Sequence, residues 1–352
     1  MEPRIATAGK VLEAMEMSGK LKTVLSMTAG VLSAVSLCLA GPSAQARSLE
    51  AADNSLAAAP YLMPLENDPP NISEVISASG VKTFTLAFVL SDGACAPVWS
   101  GGGPVSSDTQ VKGVIDTIRG AGGDVMPSVG GYGGSKLGET CSDAASLAKA
   151  YQQVIDTYKL HAIDFDIEAT EIENDASQQK VVDALKIVAD ANPDVKTYIT
   201  IAGGPSGMNE RGTALVSKAA KAGTRVDGWT IMAFDFKGGA TGMGQQTIKT
   251  LESVHGQLKS AYPKMSDDEV YAHTGLSSMN GRTDDCCQPE TIHQSDFKEM
   301  LGYAQQHHLA RFTFWAVNRD RTCADTGHVS GTCSSIPQEP WEFTKIVAQY
   351  HG

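Results

Sequence analysis

The sequence predicts an α/β protein whose main part is a single domain, a (β/α)8 TIM barrel, and three observations carry that expectation. Short apolar runs of strand character alternate with longer stretches whose apolar residues recur every three or four positions. Strand alternating with helix implies right-handed crossovers and a parallel sheet. The turn after the first run, Leu65-Glu66-Asn67-Asp68-Pro69-Pro70, lacks the glycines that a doubly wound, nucleotide-binding sheet would need there. No linker, low-complexity tract or second domain interrupts the rhythm after Pro60.

The elements are expected in this order. Lys20 and Lys22 precede a mostly apolar run from Thr23 to Leu39, and Ser43-Ala44-Gln45-Ala46 offers a small-residue cleavage site. Residues 1–46 therefore read as a secretory signal peptide, with Met17 as an alternative start, and the product as secreted. A membrane anchor is the competing reading; Gly41 and Pro42 and the lack of stop-transfer charges weigh against it. Residues 47–59 are Ala-rich and expected to form a flexible leader to a barrel spanning 60–352. Strands are expected at Tyr61–Leu65, Thr83–Leu90, Asp124–Val129, Ala162–Ile167, Thr197–Ile201, Gly228–Phe234, Val270–Gly275 and Arg311–Val317. Helices are expected between them at Gln110–Arg119, Ala144–Lys159, Ser177–Ala191, Gly212–Lys221, Gly244–Ala261 and Ser295–His308.

With 352 residues the chain can bury a large core, and 42% hydrophobic with 19% charged residues is ordinary for a soluble globular protein. The net charge of −12 argues against nucleic acid or an anionic membrane as partner, while neutral or cationic polymers remain compatible. Beyond the signal no apolar run is long enough for a membrane span. Cys38 would leave with the signal, and the even number of cysteines remaining in an exported chain reads as disulfides. Zinc is the alternative, but no C-x-x-C pair or histidine pair accompanies them. Cys323 and Cys333 are close in sequence and are expected to pair, as are Cys95 and Cys141, which follow adjacent strands. Cys286 and Cys287 remain as a vicinal disulfide or as free thiols. No cofactor or metal is expected, and a monomer is.

The chemistry concentrates in His161-Ala162-Ile163-Asp164-Phe165-Asp166-Ile167-Glu168. As a strand it sends Ile163, Phe165 and Ile167 to one face and Asp164, Asp166 and Glu168 to the other. An exposed edge strand with a solvated acidic face is the plain alternative. Its flanks, a helix end before it and a polar loop after it, count against that reading. Buried acids at the carboxyl end of a barrel strand are where such folds place catalysis. Other strand ends converge on the same face. Ser128-Val129-Gly130-Gly131 ends in glycines that admit close approach, but without the lysine and spacing of a phosphate loop. Met232, Phe234 and Asp235 end one strand, Trp315 ends another, and Trp99 lies in a Gly-rich loop. Aromatic faces beside carboxylates suit sugar rings, which stack through their C–H faces and bond through their hydroxyls.

These motifs, taken together and in this order, resemble glycoside hydrolase family 18, the chitinase family, over essentially the whole mature chain. Asp164-Phe165-Asp166-Ile167-Glu168 matches the family's D-x-D-x-E, Ser128-Val129-Gly130-Gly131 its S-x-G-G, and Met232-Ala233-Phe234-Asp235 is similar to its M-x-Y-D. Trp315 falls where a tryptophan floors the subsite of the cleaved sugar. The lack of an insertion before the last strand looks like the bacterial group with an open cleft. The resemblance implies a secreted endo-acting chitinase that cleaves between N-acetylglucosamine units by substrate-assisted retaining catalysis. It makes Glu168 the general acid, Asp166 the group that orients the substrate's acetamide, Asp164 the residue that tunes Asp166, and Asp235 a substrate ligand. Two alternatives stay open: an endo-N-acetylglucosaminidase acting on N-glycans or peptidoglycan, and a non-catalytic carbohydrate-binding barrel. Two departures stand out. His161 and Ala162 replace the Asp and Gly that begin the family's longer motif, and Phe234 replaces a tyrosine whose hydroxyl would hold the acetamido oxygen.

Overall fold

The computed structural model describes residues 56–236, 242–284, 290–323 and 328–352. The signal segment, Cys286 and Cys287 lie outside them. In chain order the strands are β1 (Tyr61–Leu62), β2 (Thr83–Ser91), β3 (Pro97–Trp99), β4 (Asp124–Gly130), β5 (Ala162–Asp166), β6 (Lys196–Ala202), β7 (Gly228–Met232), β8 (Thr274–Met279), β9 (Gly281–Arg282), β10 (Thr291–Ile292) and β11 (Arg311–Trp315). Eight of them run parallel in the order β1-β2-β4-β5-β6-β7-β8-β11, and helices alternate with them along the chain, giving the expected barrel. β3 folds back antiparallel onto β2, and β9 with β10 forms a separate hairpin.

The alternation in β5 sets the layers. Ile163, Phe165 and Ile167 are fully buried in the main apolar cluster, while Asp164 and Asp166 point into the barrel. The helix Ala144–Tyr158 shows why its residues cover that apolar face. Asp143 caps it by accepting from the Ser146 N–H at 2.8 Å, in a reciprocal capping box. Leu147, Tyr151, Val154, Ile155 and Tyr158 then recur at helical spacing and are all buried, and Tyr151 packs on Phe165 with ring centroids 4.6 Å apart. Each such side chain contributes about 1.5–3 kcal/mol of transfer free energy. The turn at Lys159, with φ 48°, stops the helix and sends the chain into β5.

The seam between β11 and β1 is joined by side chains. Thr85 and Thr313 both donate to the Ala59 carbonyl, at 2.8 and 2.6 Å, and the Asn318 amide both accepts from the Met63 N–H and donates to its carbonyl. The expected leader is corrected at its end: Leu56–Ala58 form a buried 3-10 turn, so residues 56–59 belong to the barrel.

The seventh barrel strand also needs correction. It runs from Thr274 to Met279, and the Val270-Tyr271-Ala272 segment read as strand lies in a helix, Asp267–Ala272. Ser266 and Glu269 cap that helix reciprocally, and three acids occupy its first turn, so local capping outweighs the apolar run. The two expected disulfides are present, Cys95–Cys141 with Cα atoms 4.6 Å apart and Cys323–Cys333 at 5.5 Å. No helix among the described residues is long and apolar enough to cross a membrane.

Candidate active site

The carboxyl ends of the strands open into a cleft of about 560 Å³. Asp164 lies beneath it, fully buried and held by four donors. Tyr61 and Ser128 donate to its Oδ2 at 2.9 and 2.7 Å, and Thr200 and Arg311 to its Oδ1 at 2.8 and 2.9 Å. Arg311 is itself wholly buried, so a complete ion pair sits in the barrel interior. Burying such a pair is costly unless hydrogen bonds compensate it: Arg311 also donates to the Thr230 and Thr85 hydroxyls at 3.2 and 2.9 Å, and only its Nε has no partner among the described residues.

Asp166 comes next along the strand, paired in register with Gly130 on β4 and Thr200 on β6. Its exposure is only 2%, and its Oδ1 has no hydrogen-bond partner among the described residues. Burial, then the neighbouring Glu168 and Asp164, raise its pKa well above the usual carboxylate range. Glu168 is half-buried on the cleft wall and begins a short helix, Ala169–Glu173, without capping it through its side chain. That helix replaces the polar loop expected after the strand. Burial pushes the Glu168 carboxyl up to about 7, against the opposing pull of the Lys136 cation and aided by Asp284.

Aromatic rings form the rest of the cleft. Phe88 and Trp315 stack at 5.3 Å and 12°, Tyr61 packs obliquely on Trp315 at 5.9 Å, and Tyr132 stands exposed at the rim. Across from them lie Met232, Phe234 and Asp235. Asp235, at φ 57°, is set by the buried Glu290 carboxylate, which accepts the backbone N–H groups of Asp235 and Phe236 at 2.8 and 2.6 Å. Burial, then a hydrogen bond with Asp284 and that residue's charge, bring the Asp235 carboxyl up to about 7.

The structure thus brings together Asp164, Asp166, Glu168, Met232, Phe234, Asp235 and Trp315. It does not bring Trp99, which corrects the expectation of a substrate contact. Trp99 is 1% exposed on β3, and its indole N–H donates to the Tyr158 hydroxyl at 2.8 Å. An apolar ring with a hydrogen-bonded N–H is at home in the core. Gly130 and Gly131 stand behind the cleft rather than in it. At Gly130, with φ 115°, a Cβ would come within 2.1 Å of the Asp166 carbonyl, and the Gly131 N–H donates to that carbonyl at 2.9 Å. They let β4 approach β5 and so fix Asp166. His161 is exposed at the opposite end of β5, paired with Asp124 at 2.7 Å.

Sequence reasoning missed Tyr61, Phe88, Ser277, Asp284, Arg311 and Lys136. One signal was readable: Arg311 opens a strand whose only other polar residue is Thr313, and a cation buried there calls for an acid opposite.

No family model matches the chain. It is similar to a probable bifunctional chitinase/lysozyme of Escherichia coli (strain K12), 30% identical over 277 residues, covering 74% of this chain and 30% of that protein. It is also 30% identical over 281 residues to endochitinase 11 of Metarhizium anisopliae, covering 76% of this chain and 53% of the other. The chain thus spans about a third to a half of the length of these curated relatives. Among solved structures it is similar to active domain 2 of a thermostable chitinase from Pyrococcus furiosus, in catalytic-site mutants complexed with chito-oligosaccharides. The TM-score is 0.74 at 31% identity, over 83% of this chain and 93% of that one.

Proposed function

The chain belongs to glycoside hydrolase family 18, the chitinase family, and on that premise we propose that it hydrolyses β-1,4 linkages inside chains of N-acetylglucosamine, as a secreted monomer. One observation carries the reading: a half-buried acid with a raised pKa, Glu168, stands beside Asp166, whose Oδ1 has no partner among the described residues, in a cleft walled by the Phe88–Trp315 stack. Export is supported by the basic-then-apolar amino-terminal segment and by two disulfides, which persist in oxidising compartments.

The chemistry follows from the charges. Glu168, protonated up to about neutral pH, gives its proton to the leaving glycosidic oxygen. The substrate's own acetamido oxygen attacks the anomeric carbon, forming an oxazolinium ion that water then opens, so the configuration is retained. Asp166 uses its Oδ1 to accept the acetamido N–H, which orients the nucleophile and offsets the positive charge that develops. Asp164, fixed by Arg311 and three hydroxyls, braces the strand below Asp166. Asp235 bonds the distorted sugar, and Trp315 stacks against its face.

The test is a parallel incubation with an N-acetylated chito-oligosaccharide, an N-glycoprotein and a cell-wall preparation. Cleavage of the oligosaccharide at the highest kcat/KM is expected. Preference for the glycoprotein or the cell wall would move the substrate, and no cleavage of any would end the enzymatic reading.

A further inference from the structure

Lys136 is a cation that neither the sequence motifs nor the cleft accounts for. It is 1% exposed, and its Nζ donates to the carbonyls of Gly131 and Gly133. Those two carbonyls flank the exposed Tyr132, in the turn whose Gly131 N–H is bonded to the Asp166 carbonyl at 2.9 Å. The lysine therefore closes the loop after β4 upon itself and braces the turn whose Gly131 N–H holds the strand that carries the acids. Burying an ammonium ion is costly unless charge and hydrogen bonds compensate it.

Carboxyls on three elements offset part of that cost: Glu171 from the helix Ala169–Glu173, Glu168 and Asp166 from the end of β5, and Glu139 from the helix Leu137–Thr140, while burial still holds the Lys136 ammonium below its usual pKa. Glu171 lies against that last helix, where a Cβ on Gly138 would come within 2.0 Å of its Oε1, and its own N–H is bonded to the Glu168 carbonyl at 3.1 Å. Lys180, the other lysine acting on Glu171, donates to the Cys141 carbonyl at 2.6 Å. Glu168 is faced in turn by Lys136, by Asp166 and, across the cleft, by Asp284.

We propose that Lys136 is a positioning residue for the Asp166–Glu168 pair: it braces the Gly131–Gly133 turn, whose Gly131 N–H holds the Asp166 carbonyl, and its charge favours one negative charge within the pair. This rests on the reading of Glu168 as the acid. That group must give up a proton and then take one from the incoming water, so both of its states have to be reachable near neutral pH. Burial alone drives the two carboxyls toward permanent protonation, and the nearby cation opposes it.

The experiment titrates the Glu168 carboxyl directly, by carbon-13 NMR of Glu-labelled protein with the resonance assigned through Glu168→Gln. Wild type is compared with Lys136→Met and Lys136→Arg. The midpoint should move to higher pH in the Met variant and return toward wild type in the Arg variant. The alkaline limb of kcat/KM should shift with it. Should the Met variant not fold, Lys136→Gln, which can still donate to a carbonyl, takes its place with the same expectation. A midpoint within about 0.2 pH unit of wild type in a folded, uncharged variant would overturn the proposal. Because the titration needs no turnover, an upward shift in a protein that leaves every glycan intact would instead refute the hydrolase reading alone.

Discussion

The sharpest consequence of the cleft's electrostatics is the pH at which activity fails. A solvated glutamic acid would be protonated in only about 0.3% of molecules at pH 7, too few to serve as a general acid. Glu168 is pushed to about 7, so its acid form falls from about 90% at pH 6 to about 10% at pH 8. The Asp166 carboxyl beside it is also raised, by burial first and then by the charges of Glu168 and Asp164. The profile of kcat/KM for a fluorogenic N-acetyl chito-oligosaccharide, measured from about pH 4 to 9, should therefore bend down near pH 7 and drop about ten-fold per unit beyond it. Glu168→Gln should lower kcat by at least about 10²-fold while substrate still binds. The same shift has a stability counterpart. Its folded pKa lies above the unfolded one, so the native state holds protons that the unfolded chain releases, and stability falls as pH rises from about 4.5 to 7. Glu168→Gln should accordingly be at least as resistant to urea as wild type at pH 8. A limb near pH 4.5, or near-normal turnover without the acid, would refute the reasoning.

Two further substitutions probe the support and the acetamido pocket. Arg311→Met leaves Asp164 buried with three hydroxyl donors and no cation, and should cost about 3–5 kcal/mol in urea unfolding, nearer the lower figure because those hydroxyls remain; a loss under about 1 kcal/mol would deny the ion pair its role. Phe234→Tyr adds a hydroxyl where the family carries one, and one net hydrogen bond of about 0.5–1.5 kcal/mol should raise kcat/KM about two- to ten-fold. A slower mutant with an unchanged circular dichroism spectrum would mean that another donor, such as Ser277 on the same cleft, already holds the acetamide.

How much of this was legible in the chain depends on whether the cause was local. The β5 alternation was, because period two dictates which face each carboxylate meets, and the helix Ala144–Tyr158 was, because caps and stripe agree. Trp99 was misjudged because a Gly-rich setting does not reveal the Tyr158 hydroxyl that receives its N–H from 59 residues away. Val270 was misjudged because three apolar residues look alike in strand and helix, and the Ser266–Glu269 cap decided. Lys136 and Asp284 were invisible for a different reason. A charged residue in a loop reads as solvated, and only the fold brings either one beside Glu168.

The central claim, that the substrate's acetamide is the nucleophile beside Asp166 and Glu168, is tested most directly by proton NMR of the first products from an N-acetylated chito-oligosaccharide. The account predicts that the β-anomer appears first and mutarotates afterwards, and that fully deacetylated chitosan is left intact under the same conditions. An initial α-anomer, or ready cleavage of chitosan, would contradict it.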